Sequence, residues 1–178
     1  MNLLLGVTGG IAAYKSCELV SLARKAGHEV RVVMSPNAER FVGAATFEAL
    51  SGHAVLTDTF QHGTGGGIDH IEWAKWADVA CIAPLTANTL GKLACGLADD
   101  GLTTVWMAIP RGIPCFLAPA MNTEMWAHPV VLRNLRWLAE LDRYQFIEPI
   151  EKRLACGDTG VGAMAEPVDI LEAVTAHR

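Results

Sequence analysis

"NLLLGVTGGIAAYKSCELVSLARKAG", Asn2 to Gly27, decides the fold. Leu3, Leu4, Leu5 and Val7 form a run without polar alternation, the pattern of a short strand buried on both faces. The glycines Gly9 and Gly10 interrupt it. Apolar residues then return at helical spacing until Gly27 stops the helix. A strand, a glycine turn and a helix open an α/β unit. Glycines let a ligand approach the backbone, and the first amides of the helix can cradle an anion. The turn satisfies neither G-x-x-x-x-G-K-[ST] nor G-x-G-x-x-G. From the residues alone it is either an anion site or a tight strand-to-helix turn.

The same alternation continues. "EVRVVM" (Glu29 to Met34), "DVACIA" (Asp78 to Ala83), "PCFLA" (Pro114 to Ala118) and "YQFIE" (Tyr144 to Glu148) read as further strands. Helices are predicted at about 36–51, 87–98, 101–109 and 129–141, and from Val168 onward. This order predicts a Rossmann-like or flavodoxin-like parallel sheet with helices on both faces, as a single domain over 1–178. The glycine-rich stretch at about 61–69 reads as a flexible insertion. Ligands of such folds bind beyond the carboxyl ends of the strands, so the residues just after each strand carry the information.

Composition narrows the function classes. Of 178 residues, 51% are hydrophobic and 19% charged, which is rich enough in apolar groups to expect some buried between subunits. A net charge of −5 argues against a nucleic-acid binder. No apolar run reaches membrane-spanning length, and "MNLLLGVTGG" lacks the basic start of a signal peptide. The five cysteines contain no C-x-x-C pair and the six histidines no metal spacing, so no metal is expected. Cys81 and Cys115, inside strand-like runs, read as small core residues. A reducing, cytoplasmic compartment fits.

Three further strand ends carry polar residues. "MSPNA" offers Ser35 and Asn37, which capping alone could explain. "PLTANT" gathers Thr86, Asn88 and Thr89. A cap needs one such residue, and the surplus suits a polar ligand edge such as a flavin. "PAMNTEMW" supplies Ala120 and Asn122, with Met121 and Met125 four apart. His70, between Asp69 and Glu72, is the first candidate for a general base. "RLACGDTGVGAMAEP", Arg153 to Pro167, carries Cys156 among glycines and has no helix or strand period. It is either a surface loop or a mobile flap that brings a thiol to a substrate.

These motifs occur together and in order. On "GVTGGIAAYK", the pair His70–Ile71, "PLTANT" with "KLACGLADDGLTT", "PAMNTEMW" and "LACGDTGVGAMAEP", the chain resembles the homo-oligomeric flavin-containing cysteine decarboxylases from Leu3 to about Val174. The resemblance implies FMN bound at the subunit boundaries of a trimer that can assemble further into a dodecamer. Gly9, Gly10, Ile11, Ala12, Ser35 and Asn37 match the phosphate and ribityl side of its site. Thr86, Ala87, Asn88, Thr89 and Ala120 match the flavin side. His70 and Cys156 match the active-site histidine and the flap cysteine. Asn122 matches the ligand of the substrate carboxylate, with Met125, Gly157, Asp158, Ala163 and Met164 as further substrate contacts.

The implied chemistry is decarboxylation of a cysteine carboxylate. Oxidation of the thiol carbon by FMN supplies the electron sink that cysteine lacks. The first substrate is 4'-phosphopantothenoylcysteine, converted to 4'-phosphopantetheine in coenzyme A biosynthesis. In that cycle the ene-thiol left by CO2 is reduced again, with Cys156 implicated. The alternative is the C-terminal cysteine of a precursor peptide, released as the ene-thiol. A flavoprotein regulator without turnover is the third reading. The chain departs from many bacterial relatives at Ala163, which stands in an arginine position, and at Leu85 and Thr86, which stand for alanine and serine. Many of those relatives also continue into a synthetase domain.

Overall fold

The structure is a computed structural model that describes residues 1–58, 69–153 and 159–176. The chain runs β1 (Asn2–Val7), α1 (Ala13–Lys25), β2 (Glu29–Met34), α2 (Ala44–Ser51), α3 (Asp69–Trp76), β3 (Val79–Leu85), α4 (Ala87–Cys95), α5 (Gly101–Ala108), β4 (Cys115–Pro119), α6 (Thr123–Trp126), α7 (Pro129–Glu140), β5 (Tyr144–Phe146), β6 (Ile150–Arg153), β7 (Thr159–Ala163) and α8 (Pro167–Thr175). The first five strands form one parallel sheet in the order β2-β1-β3-β4-β5. This is the flavodoxin-like order, and the strand sequence reverses between β1 and β3, where such sheets take their ligands.

Both faces of the sheet are covered, which is why its strands read as continuous apolar runs. Leu3, Leu5 and Val7 point to one face, into a core shared with α1, α2 and α8. Leu4 points to the other, where Ile82, Leu85, Leu117, Leu102 and Trp106 pack under α3, α4, α5 and α7. Cys81 and Cys115 are buried core residues, as their strands predict. Burial pushes the Cys115 thiol up to about 11, and a neutral thiol there is a packing group.

Three predicted elements need correction. The helix expected over 36–51 breaks in two. A short 3-10 turn covers Ala38–Arg40, and α2 begins only at Ala44, because Gly43 is extended at its N-cap. The expected strand Tyr144 to Glu148 ends at Phe146, and the helix expected to 98 ends at Cys95, where Gly96 takes the left-handed C-cap (φ +68°). The flap region is ordered at both ends, where β6 and β7 pair as an antiparallel hairpin. The insertion expected at 61–69 lies outside the described residues up to position 68, and residues 154–158 of the flap lie outside them as well. Among the described residues no helix is long and apolar enough to cross a membrane.

Candidate functional site

Thr8 ties the strand ends together. Its Oγ1 donates to the Pro84 carbonyl at 2.6 Å and accepts from the Thr86 amide at 3.1 Å. Ser16 does the same one turn into α1, donating to the Ala83 carbonyl at 2.6 Å. These bonds fix the start of α1 beside the start of α4. Neither helix is capped by a side chain: Ala12 has none to offer, and Thr86 makes no capping bond. Two helix N-termini without side-chain caps therefore converge where the sheet reverses. In α1 the Ala13 and Lys15 amides already donate to the Gly10 and Ala12 carbonyls at 2.9 and 3.0 Å, so the β1–α1 turn and the start of α4 are the parts suited to an anion or a polar ring edge.

A cavity of ≈ 690 Å³ opens there, within the size range of cofactor sites. Gly9 to Ala12 line it from the β1–α1 turn and Thr86 to Asn88 from the start of α4. Ala120, Met121, Asn122 and Met125 line it from the end of β4 and from α6, and Gly162, Ala163 and Met164 from the hairpin. Its wall is mainly apolar and, among the described residues, contains no carboxylate side chain. A second cavity of ≈ 200 Å³ shares Gly9, Thr86 and Asn88 with the first and adds Ser35, Asn37 and Thr89. The predicted cofactor-binding residues, with Asn122, Met125, Ala163 and Met164, thus fall on two adjoining hollows.

Three details bear on what these hollows hold. Ser35 is 6% exposed, and its Oγ has no hydrogen-bond partner among the described residues. An unpaired buried hydroxyl is costly, so this atom is suited to a ligand. Nor does Asn37 cap the 3-10 turn with its side chain, so the capping account of "MSPNA" does not hold. Gly9 has a structural reason to be glycine: a Cβ there would collide with Asn37. At the far wall of the smaller cavity Lys92 lies 2.7 Å from both Asp99 and Asp100. Burial pushes Asp100 up, and hydrogen bonds from Lys92 and Thr103 outweigh it, so its carboxyl titrates below the ordinary aspartate value. Asp100 also closes a capping box with Thr103 at the start of α5.

The hairpin is held against this site by close backbone contact. The Met121 amide donates to the Gly162 carbonyl at 2.9 Å. Gly162 has φ +145°, and a Cβ on it would collide with the Met121 carbonyl oxygen. Asn122 caps α6, its Oδ1 accepting from the Glu124 amide at 2.8 Å, which fixes the plane of its amide at the cavity wall.

Some predicted residues are not brought to the cavities. His70 lies in the first turn of α3, which packs against α5 and β1, and it lines neither hollow. Cys156, Gly157 and Asp158 lie outside the described residues. Other residues line the larger cavity without being predicted: Tyr14, Lys15, Met121, Lys152 and Gly162. Lys15 was within reach of sequence reasoning, one turn beyond the glycine pair. Lys152 was not, since nothing in "EKR" distinguishes it from a solvated strand edge.

The Flavoprotein family matches residues 1–178. The coenzyme A biosynthesis bifunctional protein CoaBC of Bacillus subtilis (strain 168) is 49% identical over 176 residues, which covers 99% of this chain and 43% of that protein. The chain thus spans less than half the length of this relative. Among solved structures, a cysteine-to-serine mutant of PPC decarboxylase complexed with pantothenoylaminoethenethiol superposes with a TM-score of 0.89 at 41% identity, covering 98% of this chain and 96% of the other. The FMN-dependent cysteine decarboxylase SpaF superposes with a TM-score of 0.84 at 35% identity, covering 99% and 95%.

Proposed function

The chain belongs to the Flavoprotein family, and on that premise we propose that it is an FMN-dependent decarboxylase of a cysteine carboxylate, acting on 4'-phosphopantothenoylcysteine. The observation that carries this reading is the single cavity in which uncapped helix starts, an apolar wall and the oriented amide of Asn122 face one another. The donors suit FMN. The Gly9–Ala12 turn and the unpaired Ser35 hydroxyl take its anionic end, while Thr86, Ala87, Asn88, Thr89 and Ala120 take the ring and its polar edge. When bound, FMN supplies the two-electron chemistry that gives the electrons of the departing carboxylate somewhere to go.

The protein's own part is positioning. The Asn122 amide orients the substrate carboxylate through its NH2 group, because its oxygen is engaged by Glu124. Met121, Met125 and Met164 form the apolar wall that keeps water from the reacting carbon. Cys156 serves the reduction that closes the cycle. His70 serves as base or proton shuttle in the site of a neighbouring subunit of a trimer. That it lines neither hollow of its own chain supports this, as do the exposed apolar side chains of Ile11, Tyr14 and Met125 at the cavity. A peptide ending in cysteine is the second reading, favoured by that same exposed apolar rim.

Purified protein loaded with FMN is offered both substrates and followed by mass spectrometry. Loss of CO2 alone from 4'-phosphopantothenoylcysteine is expected. Turnover of the peptide only, with loss of CO2 and two hydrogens, would refute the assignment, and colourless protein that takes up no FMN would refute the whole reading.

A further inference from the structure

Two ammonium groups line the larger cavity, Lys15 from α1 and Lys152 from β6. One carboxylate serves both. Glu166, at the N-cap of α8, lies 3.0 Å from Lys15 through Oε2 and 3.1 Å from Lys152 through Oε1. Among the described residues the cluster therefore carries one positive charge more than its carboxylate balances, on a mainly apolar wall. The two lysines are not equivalent. The Lys15 side chain is 11% exposed, and its Nζ also donates to the Met164 carbonyl at 3.3 Å. Two of its three donors hold the residues that follow the hairpin, and the side chain is nearly buried. The Lys152 side chain is 55% exposed, and Glu166 is its charged partner among the described residues. An ammonium has three donors, so Lys152 has capacity left for a ligand.

The place of this charge is informative. An anionic cofactor group already has donors elsewhere, at the uncapped start of α4 and in the unpaired Ser35 hydroxyl of the smaller hollow. Lys152 instead lines the cavity from the hairpin wall, with Ala163 and Met164, on a different element from the residue that orients the reacting carboxylate. Ala163 brings no charge to that wall. A cation here, tethered at one point and half in solvent, suits an anionic group at the end of the substrate remote from its cysteine.

We propose that Lys152 is a specificity-determining residue that recognises a phosphate monoester at the remote end of the substrate, with Glu166 setting its position and Lys15 holding Glu166. This rests on the reading of the cavity as a cysteine decarboxylase site. A carboxylate from an acidic peptide offers related chemistry and is an arm of the test.

Calorimetry on the FMN-loaded protein compares 4'-phosphopantetheine with pantetheine, and with an acidic peptide. The parent should bind the phosphorylated ligand about 10-fold or more tightly, as charge-assisted contacts do. In Lys152→Met the preference should collapse to nothing, with pantetheine binding and FMN affinity unchanged, and Lys152→Arg should restore most of it. The proposal is overturned if the parent shows no preference for the phosphorylated ligand, if the preference survives in Lys152→Met, if both ligands weaken equally, or if FMN affinity falls instead. A Lys152-dependent preference for the acidic peptide alone would also overturn it. The two failures separate cleanly. Protein that keeps Lys152-dependent phosphopantetheine binding but releases no CO2 sinks the reaction. Protein that decarboxylates phosphorylated and unphosphorylated pantothenoylcysteine equally sinks the site.

Discussion

Gly162→Ala tests whether the hairpin is docked on the site by backbone contact. The hairpin β6–β7 is a sheet of its own, and its hold on the body includes the Met121 amide to Gly162 carbonyl bond and packing of α6 on β7. A methyl group at 162 faces two obstacles at once. Its backbone sits at φ +145°, and its Cβ would overlap the Met121 carbonyl oxygen, which is main chain and cannot swing away. Forcing a side chain into that conformation costs about 1–3 kcal/mol. Separating the strands to relieve it forfeits a hydrogen bond worth about 0.5–1.5 kcal/mol. The strain is the larger of the two costs, and it shifts docking by about 1–3 kcal/mol, or roughly 5- to 150-fold in population.

Native-state hydrogen exchange reads this directly. The Met121 amide should exchange faster by that factor, while the amides of β1 and β3 keep the parent's protection. Gly96→Ala is the control. Gly96 also has positive φ (+68°), but no atom lies within 4 Å of its would-be Cβ. It should cost about 1 kcal/mol of global stability through backbone conformation alone and leave the local opening at Met121 unchanged. If Met121 exchanges no faster in Gly162→Ala than in Gly96→Ala, the hairpin is not held by this contact.

Other expectations follow from single atoms. Ser35→Ala should leave the cofactor-free protein as stable as the parent or slightly more so, since its hydroxyl has no partner, and should weaken FMN binding about 10-fold or more; flavin fluorescence titration checks it, and unchanged affinity removes Ser35 from the site. Asp100→Ala should lower the unfolding free energy by about 1–2 kcal/mol in urea titration, because it removes the α5 capping box. The same carboxylate gives a pH signature. Its folded-state pKa lies below the unfolded value, so its stabilisation is complete above the ordinary aspartate range and is lost as pH falls through the folded-state value. The stability gap between parent and Asp100→Asn should therefore close on acidification and stay constant from neutral pH upward.

The sheet was legible because its strands are buried on both faces and its turns are marked by glycine, and "NLLLGVTGG" carries both signals. The helix start at 36 was misread because Phe41 and Val42 extend an apolar spacing across a break set by Gly43, and Phe41 is half exposed. The hairpin failed for a different reason. A strand announces itself by alternating side chains, but β7 must pass close to α6 and to Met121, and a Cβ at Gly160 would press on Thr123 as one at Gly162 would on Met121. The close approach that makes this segment a wall of the site also removes the side chains by which it could be recognised.

The same logic governs the rest of the site. Ser35, Thr86, Asn88 and Asn122 were found because each is polar just after a buried strand, where topology alone sends it to the cavity. His70 and Lys152 have no such address. Lys152 reaches the cavity only because the hairpin folds back over the sheet, and its charge matters only because Glu166 is shared with Lys15, 137 positions earlier in the chain than Lys152. Residues that build the common floor of the site are thus written into strand ends. The residue proposed to choose the substrate sits on an element whose place is set by long-range pairing, and such a residue can change without disturbing the floor beneath it.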